Sequence, residues 1–283
     1  MGNELKQLLV HADASPQFAQ RLGFACRLAA EHGAGVTALY ASPSASEALP
    51  IASGMGVGLA VTRQAAQDTE LARAHSVFAQ LRPAGLPAAW SEIHQFPLAA
   101  AFAEQAFYAD LLVLGQHAPG EGWSTLMPAD FPETVITLSG RAALVLPYTS
   151  ARPALPGKVL IAWKPCRGAA RAVAAALPLL RKATSVQVLS WGADAAAAAT
   201  TAASDGGPNI VSYLRAHGVQ ARWQREAVEP ENLGELLLSR AFDLQADMLV
   251  MGCYGHTRAH EWVLGGASRT VLHSMTLPVL MAH

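Results

Sequence analysis

The chain has 283 residues, a formal net charge of -1 at pH 7 and 14% charged residues. This length allows two domains of ordinary size, and the near-zero charge excludes the basic surface that binds nucleic acid. No apolar run is long enough to span a bilayer and no signal peptide is recognisable, so we expect a soluble cytoplasmic protein. Three cysteines do not form a disulfide framework and suit a reducing compartment.

The first half of the chain alternates between predicted strands and helices. The predicted strands are 5–12, 36–40, 90–94, 110–115 and 143–147. The predicted helices are 16–31, 62–81, 98–108 and 131–139. In the first helix, an apolar face with helical spacing predicts packing against a sheet; its residues are Phe18, Leu22, Cys26 and Ala29.

The second half repeats this order of elements. Residues 109–115 (ADLLVLG) match residues 246–252 (ADMLVMG), and residues 8–12 correspond to residues 159–163. The predicted strands are 158–163, 185–190, 219–226, 247–252 and 278–281. The predicted helices are 168–181, 208–216, 233–242 and 267–274. A repeat of this length indicates two copies of one structural unit.

The joint between the two halves is the segment 148–157, where two prolines and a glycine interrupt any regular element. We therefore expect two domains, 1–149 and 150–283. Continuous apolar strands separated by helices predict an α/β fold with parallel sheets covered on both faces. Right-handed crossovers bring the carboxyl ends of the strands to one edge, where ligands of such sheets bind.

A glycine-rich loop follows the predicted strand 247–252. Gly252 and Gly255 precede nine residues and then the pair Gly265 and Gly266, after which a helix begins. The unpaired N–H groups and the dipole of a helix N-terminus favour an anion, and glycine lets the backbone approach a phosphate closely. The arrangement predicts a phosphate or nucleotide site; the alternative is a turn that only maintains the fold.

A repeated α/β unit with this glycine spacing resembles the universal stress protein family in its tandem two-domain form. The resemblance covers nearly the whole chain, and its specific part is Gly252, Gly255 and Gly265 with the segment that follows. It implies two Rossmann-like domains of the adenine nucleotide α-hydrolase type, each with a five-stranded parallel sheet. It also implies that the two units pair through their last strands as an internal pseudo-dimer, and it leaves a further homodimer open.

In ATP-binding members of that family the loop holds the phosphates, and the ends of the first two strands contact adenine. The binding residues that the resemblance implies by position are Ala162, Trp163, Lys164, Ser190, Trp191, Gly252, Gly255, Gly265, Gly266, Ala267 and Ser268. Trp191 either stacks on a base or caps the core. The ligand would be ATP, with or without Mg²⁺, or AMP, a cyclic nucleotide or none.

The chain departs from the family pattern in both halves. Gly266 stands where the family has Ser or Thr, and Lys164 stands where it has an acidic residue. The first half keeps the acid as Asp13, but the second glycine after Gly115 is absent and Pro128 replaces the third. The acidic residues that would repel phosphate there are Glu121, Asp130 and Glu133. We expect this half to bind no nucleotide and to act as a structural partner.

Two cysteines near the predicted site admit another interpretation. Cys166 and Cys253 follow strands that are neighbours in the family, about 4.8 Å apart, which would bring their thiols close enough for a redox pair. The ligand-pair spacing of a metal site is absent, so no metal is predicted. We expect the loop histidines His256 and His260 to be exposed.

The sequence thus predicts a stress-response regulator that binds an adenine nucleotide and acts on an unidentified regulatory protein. The motifs of the serine hydrolases, zinc proteases and P-loop enzymes are absent, so no residue is assigned a catalytic role. One alternative is a nucleotide-free interaction module that uses the segments 42–60 and 192–207. The other is a weak ATP hydrolase. Nucleic acid and membranes are not expected partners.

Overall fold

The computed structural model describes residues 4–42, 57–118, 127–149, 153–191, 209–226, 232–253 and 266–283. Within these residues the chain forms ten strands and eight helices and divides into two compact units. Leu5–Arg152 form the N-terminal unit, and Pro153–His283 make up most of the C-terminal unit. Gly255 and Gly265 of the predicted loop lie outside the described residues, as do His256 and His260.

The N-terminal unit alternates strictly between strands and helices. Its strands are β1 (Gln7–Ala12), β2 (Gly35–Ala41), β3 (Ala88–Ile93), β4 (Leu111–Gly115) and β5 (Ala143–Leu146). Its helices are α1 (Pro16–His32), α2 (Val57–Leu81), α3 (Leu98–Ala106) and α4 (Phe131–Ser139). All neighbouring strands are parallel, in the order β3-β2-β1-β4-β5.

The C-terminal unit has the same topology. Its strands are β6 (Lys158–Ala162), β7 (Ser185–Trp191), β8 (Arg222–Glu226), β9 (Met248–Gly252) and β10 (Val279–Ala282). Its helices are α5 (Arg167–Leu180), α6 (Ile210–Ala216), α7 (Leu233–Asp243) and α8 (Gly266–Ser274). The parallel order β8-β7-β6-β9-β10 confirms the predicted fold class of two five-stranded α/β units.

Helix α1 illustrates how the sequence specifies these elements. Pro16 is its first residue, where the missing N–H is not needed, and Gly33 ends it in the left-handed conformation at φ 64°. The predicted apolar face is confirmed, because each of its residues is at most 5% exposed: Phe18, Leu22, Cys26 and Ala29. Through this face α1 packs on β1, β2 and β4.

Two element boundaries differ from the prediction by three or more residues. Helix α2 begins at Val57 rather than at residue 62, with a glycine in its first turn. Strand β8 begins at Arg222 rather than at residue 219. Gly218 leaves α6 at φ 81°, and the N–H of Val219 donates to the carbonyl of Leu214 at 2.9 Å. This C-terminal turn uses the residues that the apolar pattern had placed in the strand.

The topology determines where a ligand can approach each sheet. The first strand of each unit, β1 or β6, lies between the second and the fourth strands, so the following crossovers leave in opposite directions. A crevice therefore opens at the carboxyl ends of β1 and β4 and of β6 and β9. None of the described helices combines the length and the apolar character that a membrane span requires.

Candidate functional site

Several predicted binding residues lie together at the carboxyl ends of β6 and β7. Ala162 ends β6, and the N–H of Trp163 donates to the carbonyl of Leu189 in β7 at 2.7 Å. Ser190 and Trp191 are the last two residues of β7, the first buried and the second half-buried. The structure therefore brings these residues to one edge of the sheet.

Gly252 ends β9 and packs against the N-terminus of α5. An added Cβ at Gly252 would meet the backbone nitrogen of Ala169, and one at Gly168 would lie 2.9 Å from the carbonyl oxygen of Cys253. The backbone of α5 thus approaches the ends of β9 and β10 too closely for a side chain at either position. Gly252 therefore has a structural role that is independent of any phosphate contact.

The predicted loop leads directly into helix α8. Gly266, Ala267 and Ser268 are its first three residues, and Ser268 is buried. Helix α8 packs on α7 at Gly234, where an added Cβ would lie 2.9 Å from the carbonyl oxygen of Ala267. At Gly266, by contrast, an added Cβ would meet no atom of the described residues within 4 Å. Among the described residues, the first turn of α8 is therefore open at Gly266 and tightly packed against α7 at Ala267.

Trp223 is absent from the residues predicted to form the site. Its indole N–H donates to Ser190 Oγ at 3.0 Å, and the guanidinium carbon of Arg225 lies 3.4 Å from the centre of the indole ring. Strand register places Arg225 opposite Ser190 at the carboxyl end of β8. The internal repeat could have indicated Trp223, because Trp90 occupies the matching position in β3 of the N-terminal unit.

The crevice of the N-terminal unit contains a buried ion pair. Arg21 Nη2 donates to Asp13 Oδ2 at 2.7 Å, and Arg21 Nε donates to the carbonyl of His11 at 2.8 Å. The other carboxylate oxygen of Asp13 accepts from the N–H of Ser15 at 3.0 Å and from its hydroxyl. The Arg21 side chain is 4% exposed and lies against Gly115. Sequence reasoning missed Arg21 because it occurs on the apolar face of α1.

Burial and charge shift the pKa values of this crevice. Burial lowers the pKa of His11 to about 4, although the charge of Asp13 opposes the shift, so the imidazole is neutral at pH 7. Burial alone would raise the pKa of Asp13, but Arg21, His11 and the hydrogen bonds of Ser15 hold it below its ordinary value. Asp13 is therefore ionised, and its carboxylate forms an ion pair with the guanidinium of Arg21.

The remaining cavity above this ion pair is small. Between the described residues its volume is about 40 Å³, which corresponds to roughly three water molecules. Gln116, His117 and Pro128 are among the described residues that line it. The first turn of α4 disfavours an anion, because Pro132 lacks an N–H group and Glu133 is acidic.

The two crevices carry opposite charges at matching positions of the repeat. Asp13 follows β1, whereas Lys164 follows β6 at the corresponding place. Glu92 lies in β3 opposite the sixth residue of β2, and Arg225 lies in β8 opposite the sixth residue of β7. At these two positions the N-terminal unit thus has acidic residues and the C-terminal unit has basic ones.

The pKa values of Tyr40 and His283 are shifted in part by nearby charges, which are negative in the N-terminal unit and positive in the C-terminal unit. Burial raises the pKa of Tyr40 at the end of β2, and the carboxylates that add to the shift are Glu70, Asp13 and Glu92. Burial lowers the pKa of His283 beyond the end of β10, and the guanidinium groups that add to the shift are Arg171 and Arg167. Carboxylates thus lie near Tyr40 in the N-terminal unit, and guanidinium groups lie near His283 in the C-terminal unit.

Cys166 and Cys253 lie at the carboxyl ends of the neighbouring strands β6 and β9. Cys166 is half-buried at the N-terminus of α5, and Cys253 is buried, with its N–H donating to the carbonyl of Ala282 at 2.8 Å. In the described part of the chain, no group of three or more acidic, histidine or cysteine side chains is placed to hold a metal ion. A redox pair stays a prediction, whereas the expected burial of Cys26 is confirmed.

Comparison with known proteins relates the C-terminal unit to a family by sequence and both units to solved structures by fold. Residues 157–283 match the universal stress protein family. A universal stress protein from Archaeoglobus fulgidus is similar over 98% of this chain and 97% of its own, with a TM-score of 0.69 and 14% identity.

A protein from Pseudomonas aeruginosa PAO1, described as functionally unknown, is similar over 98% of this chain and 92% of its own, with a TM-score of 0.62 and 15% identity. No curated protein matches the chain in sequence. At these identities the structural likeness establishes the fold of the whole chain.

Proposed function

Because this chain belongs, through residues 157–283, to the universal stress protein family, we propose that its C-terminal domain binds ATP or a related adenine nucleotide. Binding regulates a partner protein in a stress response and does not support catalysis. The observation that carries the proposal is that β9 ends next to β6 at the crevice, and that the glycine-rich segment follows β9 in the chain and precedes α8.

The strand ends at this crevice and the first turn of α8 suit a phosphate chain. In sheets of this topology, ligands bind outside the carboxyl ends of the strands, where the crossovers diverge. Ala162 and Gly252 end the two strands that border this crevice. The N–H groups of the first turn of α8, from Gly266 to Ser268, supply hydrogen-bond donors and the positive end of a helix dipole.

The side chains near the crevice also suit an anion. Lys164 and Arg167 are exposed where β6 leads into α5, and Arg269 is exposed in the first turn of α8. Positive charge beside an open helix N-terminus attracts a polyphosphate and compensates its charge on binding. These residues therefore compensate for the hydroxyl that Gly266 replaces in the family pattern.

The N-terminal domain serves in this proposal as a structural partner without nucleotide. Its crevice contains the Asp13–Arg21 ion pair, its cavity has the size of a few water molecules, and Pro132 and Glu133 occupy the helix start. A phosphate chain would lie against carboxylates there instead of free N–H groups. The domain boundary lies in the segment 148–157.

A regulatory role is favoured over hydrolysis by the residues at the crevice. Hydrolysis of ATP needs a positioned water and stabilisation of the developing charge, usually through a metal ion that carboxylates hold. Within the part of the chain that the structure describes, no carboxylate lies at the ends of β6, β7 or β9. Lys164 occupies the position at which the N-terminal domain has Asp13.

A thermal-shift experiment with Gly255→Val tests the proposal. ATP at one hundred times its Kd stabilises a binding protein by about 2.7 kcal/mol, so the Tm of the wild-type chain should rise measurably. The bulky side chain should abolish this rise while leaving the Tm without ATP nearly unchanged. A Tm of the wild-type chain that ATP does not change would contradict nucleotide binding and favour the interaction module. Phosphate release that Gly255→Val abolishes would instead favour the weak hydrolase.

A further inference from the structure

Trp223 and Arg225 form an ordered pair at the carboxyl end of β8. They are two residues apart on one strand and therefore point to the same face of the sheet. The hydrogen bond of 3.0 Å from the indole N–H to the buried Ser190 hydroxyl holds the ring in place. The guanidinium, 3.4 Å from the ring centre, is stacked on this fixed surface. Its orientation is thus set in the absence of a ligand.

Arg225 retains unused capacity to donate hydrogen bonds. Stacking engages the face of the guanidinium, whereas its five N–H groups point outward in its plane. Its Nε is buried and has no hydrogen-bond acceptor among the described residues. Because Nε is shielded from solvent, the donors that an approaching ligand meets are the N–H groups of the two terminal nitrogens of this half-buried side chain.

The pair lies within reach of a ligand bound at the crevice. Strand β8 is separated from β6 only by β7, which corresponds to a distance of roughly 10 Å across the edge. Ser190 connects the two regions, because it ends β7 among the predicted adenine-contacting residues and also holds Trp223. A ligand in the crevice therefore needs to extend over two strands to contact Arg225.

The N-terminal unit provides an internal comparison. Trp90 occupies the position of Trp223, but its indole N–H donates to Glu92 Oε1 at 2.6 Å. Glu92 occupies the position of Arg225, so the same tryptophan is accompanied by a carboxylate in one unit and by a guanidinium in the other. An acceptor-bearing ligand is therefore favoured at this position only in the C-terminal unit.

We propose that Arg225, held by Trp223 and Ser190, contacts the nucleotide and donates hydrogen bonds to its acceptor atoms. The inference rests on the proposed nucleotide binding and adds a specificity-determining residue from the third strand of the domain. The ligand class is a nucleotide or a similar elongated anion with hydrogen-bond acceptors at the end away from the glycine-rich loop.

Equilibrium binding of ATP and of adenosine to the full-length chain tests this role. Arg225→Gln removes the charge, whereas Arg225→Lys retains it without the planar stack. Arg222→Gln is the matched control, because Arg222 is exposed on the same strand but points to the opposite face. Arg225→Gln should weaken ATP binding about tenfold, the effect expected for loss of hydrogen bonds from a charged donor.

Arg225→Lys should give an intermediate loss, and Arg222→Gln should stay within about twofold of the wild type. A second readout is tryptophan fluorescence: the change that ATP causes in the wild-type chain should be smaller in Trp223→Phe, where Trp163 and Trp191 of the predicted site still respond. Equal affinities of Arg225→Gln and Arg222→Gln, with binding by the wild type intact, would overturn the role of Arg225 alone. Absence of ATP and adenosine binding by the wild type would overturn the proposed function, and this inference with it.

Discussion

The guanidinium of Arg21 lies so close to the backbone of Gly115 that an added Cβ on the glycine would be 2.5 Å from Nη1. The corresponding glycine of the C-terminal unit, Gly252, faces the backbone of Ala169 instead. A glycine at the end of the fourth strand therefore admits a charged side chain in one unit and a helix backbone in the other.

Arg21 should be essential to the stability of the N-terminal domain. Arg21→Met leaves the buried carboxylate of Asp13 without its counter-ion, which should lower the free energy of unfolding by about 3–5 kcal/mol. Urea unfolding measures this loss. In a double-mutant cycle, Asp13→Ala combined with Arg21→Met should be less destabilising than the sum of the single changes. Additive effects would show that the two groups do not act as a pair.

His11 should make stability depend on pH in a defined window. Its pKa is about 4 in the folded chain and about 6.5 when unfolded, so between these values the unfolded state binds more protons. Stability should therefore decrease as the pH falls from 6.5 to 4, by roughly 3 kcal/mol from this residue.

The variant His11→Leu isolates this contribution to the pH dependence. It removes the titrating imidazole while keeping an apolar group beside Phe102 and Phe131, so its stability should decrease less than that of the wild type over the same interval. The folded pKa of Asp13 is lowered, so its contribution is lost mainly from about pH 5 downward, and the two proteins are best compared above that value. Parallel pH profiles of the two proteins would contradict the assignment.

Two glycines of the C-terminal domain should respond differently to alanine. Gly252→Ala places a methyl group against the backbone of Ala169, so we expect a loss of stability of about 1–3 kcal/mol. Gly266→Ala meets no atom of the described residues within 4 Å and should change stability by less than about 1 kcal/mol. Calorimetric unfolding without nucleotide compares the two. Equal losses would mean that Gly252 has no special packing role.

Lys164 should contribute to nucleotide affinity through its charge. Lys164→Gln should weaken ATP binding about threefold and leave adenosine binding unchanged, since only ATP carries the phosphate charge. Lys158→Gln is a matched control. Lys158 begins β6, whereas Lys164 follows the end of β6 at the opposite edge of the sheet. The effect should diminish as the salt concentration rises. An equal loss of adenosine affinity would exclude an electrostatic contribution.

The strands of the sheet could be predicted because their residues form short, continuous apolar runs. Two such strands, Leu111–Gly115 and Met248–Gly252, are buried on both faces. The similarity of their sequences indicated the internal repeat. Strand β8 was less well predicted, since Arg222–Glu226 alternates at the edge of its unit and contains mainly polar residues. A strand that is buried on both faces has a continuous apolar sequence, which predicts a strand more clearly than the alternating apolar and polar residues of an edge strand.

The candidate site was only partly predictable, because its side chains depend on distant partners. Arg21 is three residues after Phe18 on an apolar helix face, and no local pattern indicates that Asp13 neutralises it there. The indole ring of Trp223 is likewise oriented by a hydrogen bond to Ser190, thirty-three residues earlier in the chain. The roles of Gly255 and Gly265 stay predictions, as both lie outside the described residues.

The counter-ion of Asp13 is part of the same polypeptide, so its local concentration does not vary with the metabolic state of a cell. A domain that depends on a dissolved nucleotide gains or loses stability with the supply of that molecule. If only the C-terminal crevice takes a nucleotide, the two halves differ in their response to starvation. In that case the stability of one half would stay constant, while that of the other would change with the nucleotide concentration.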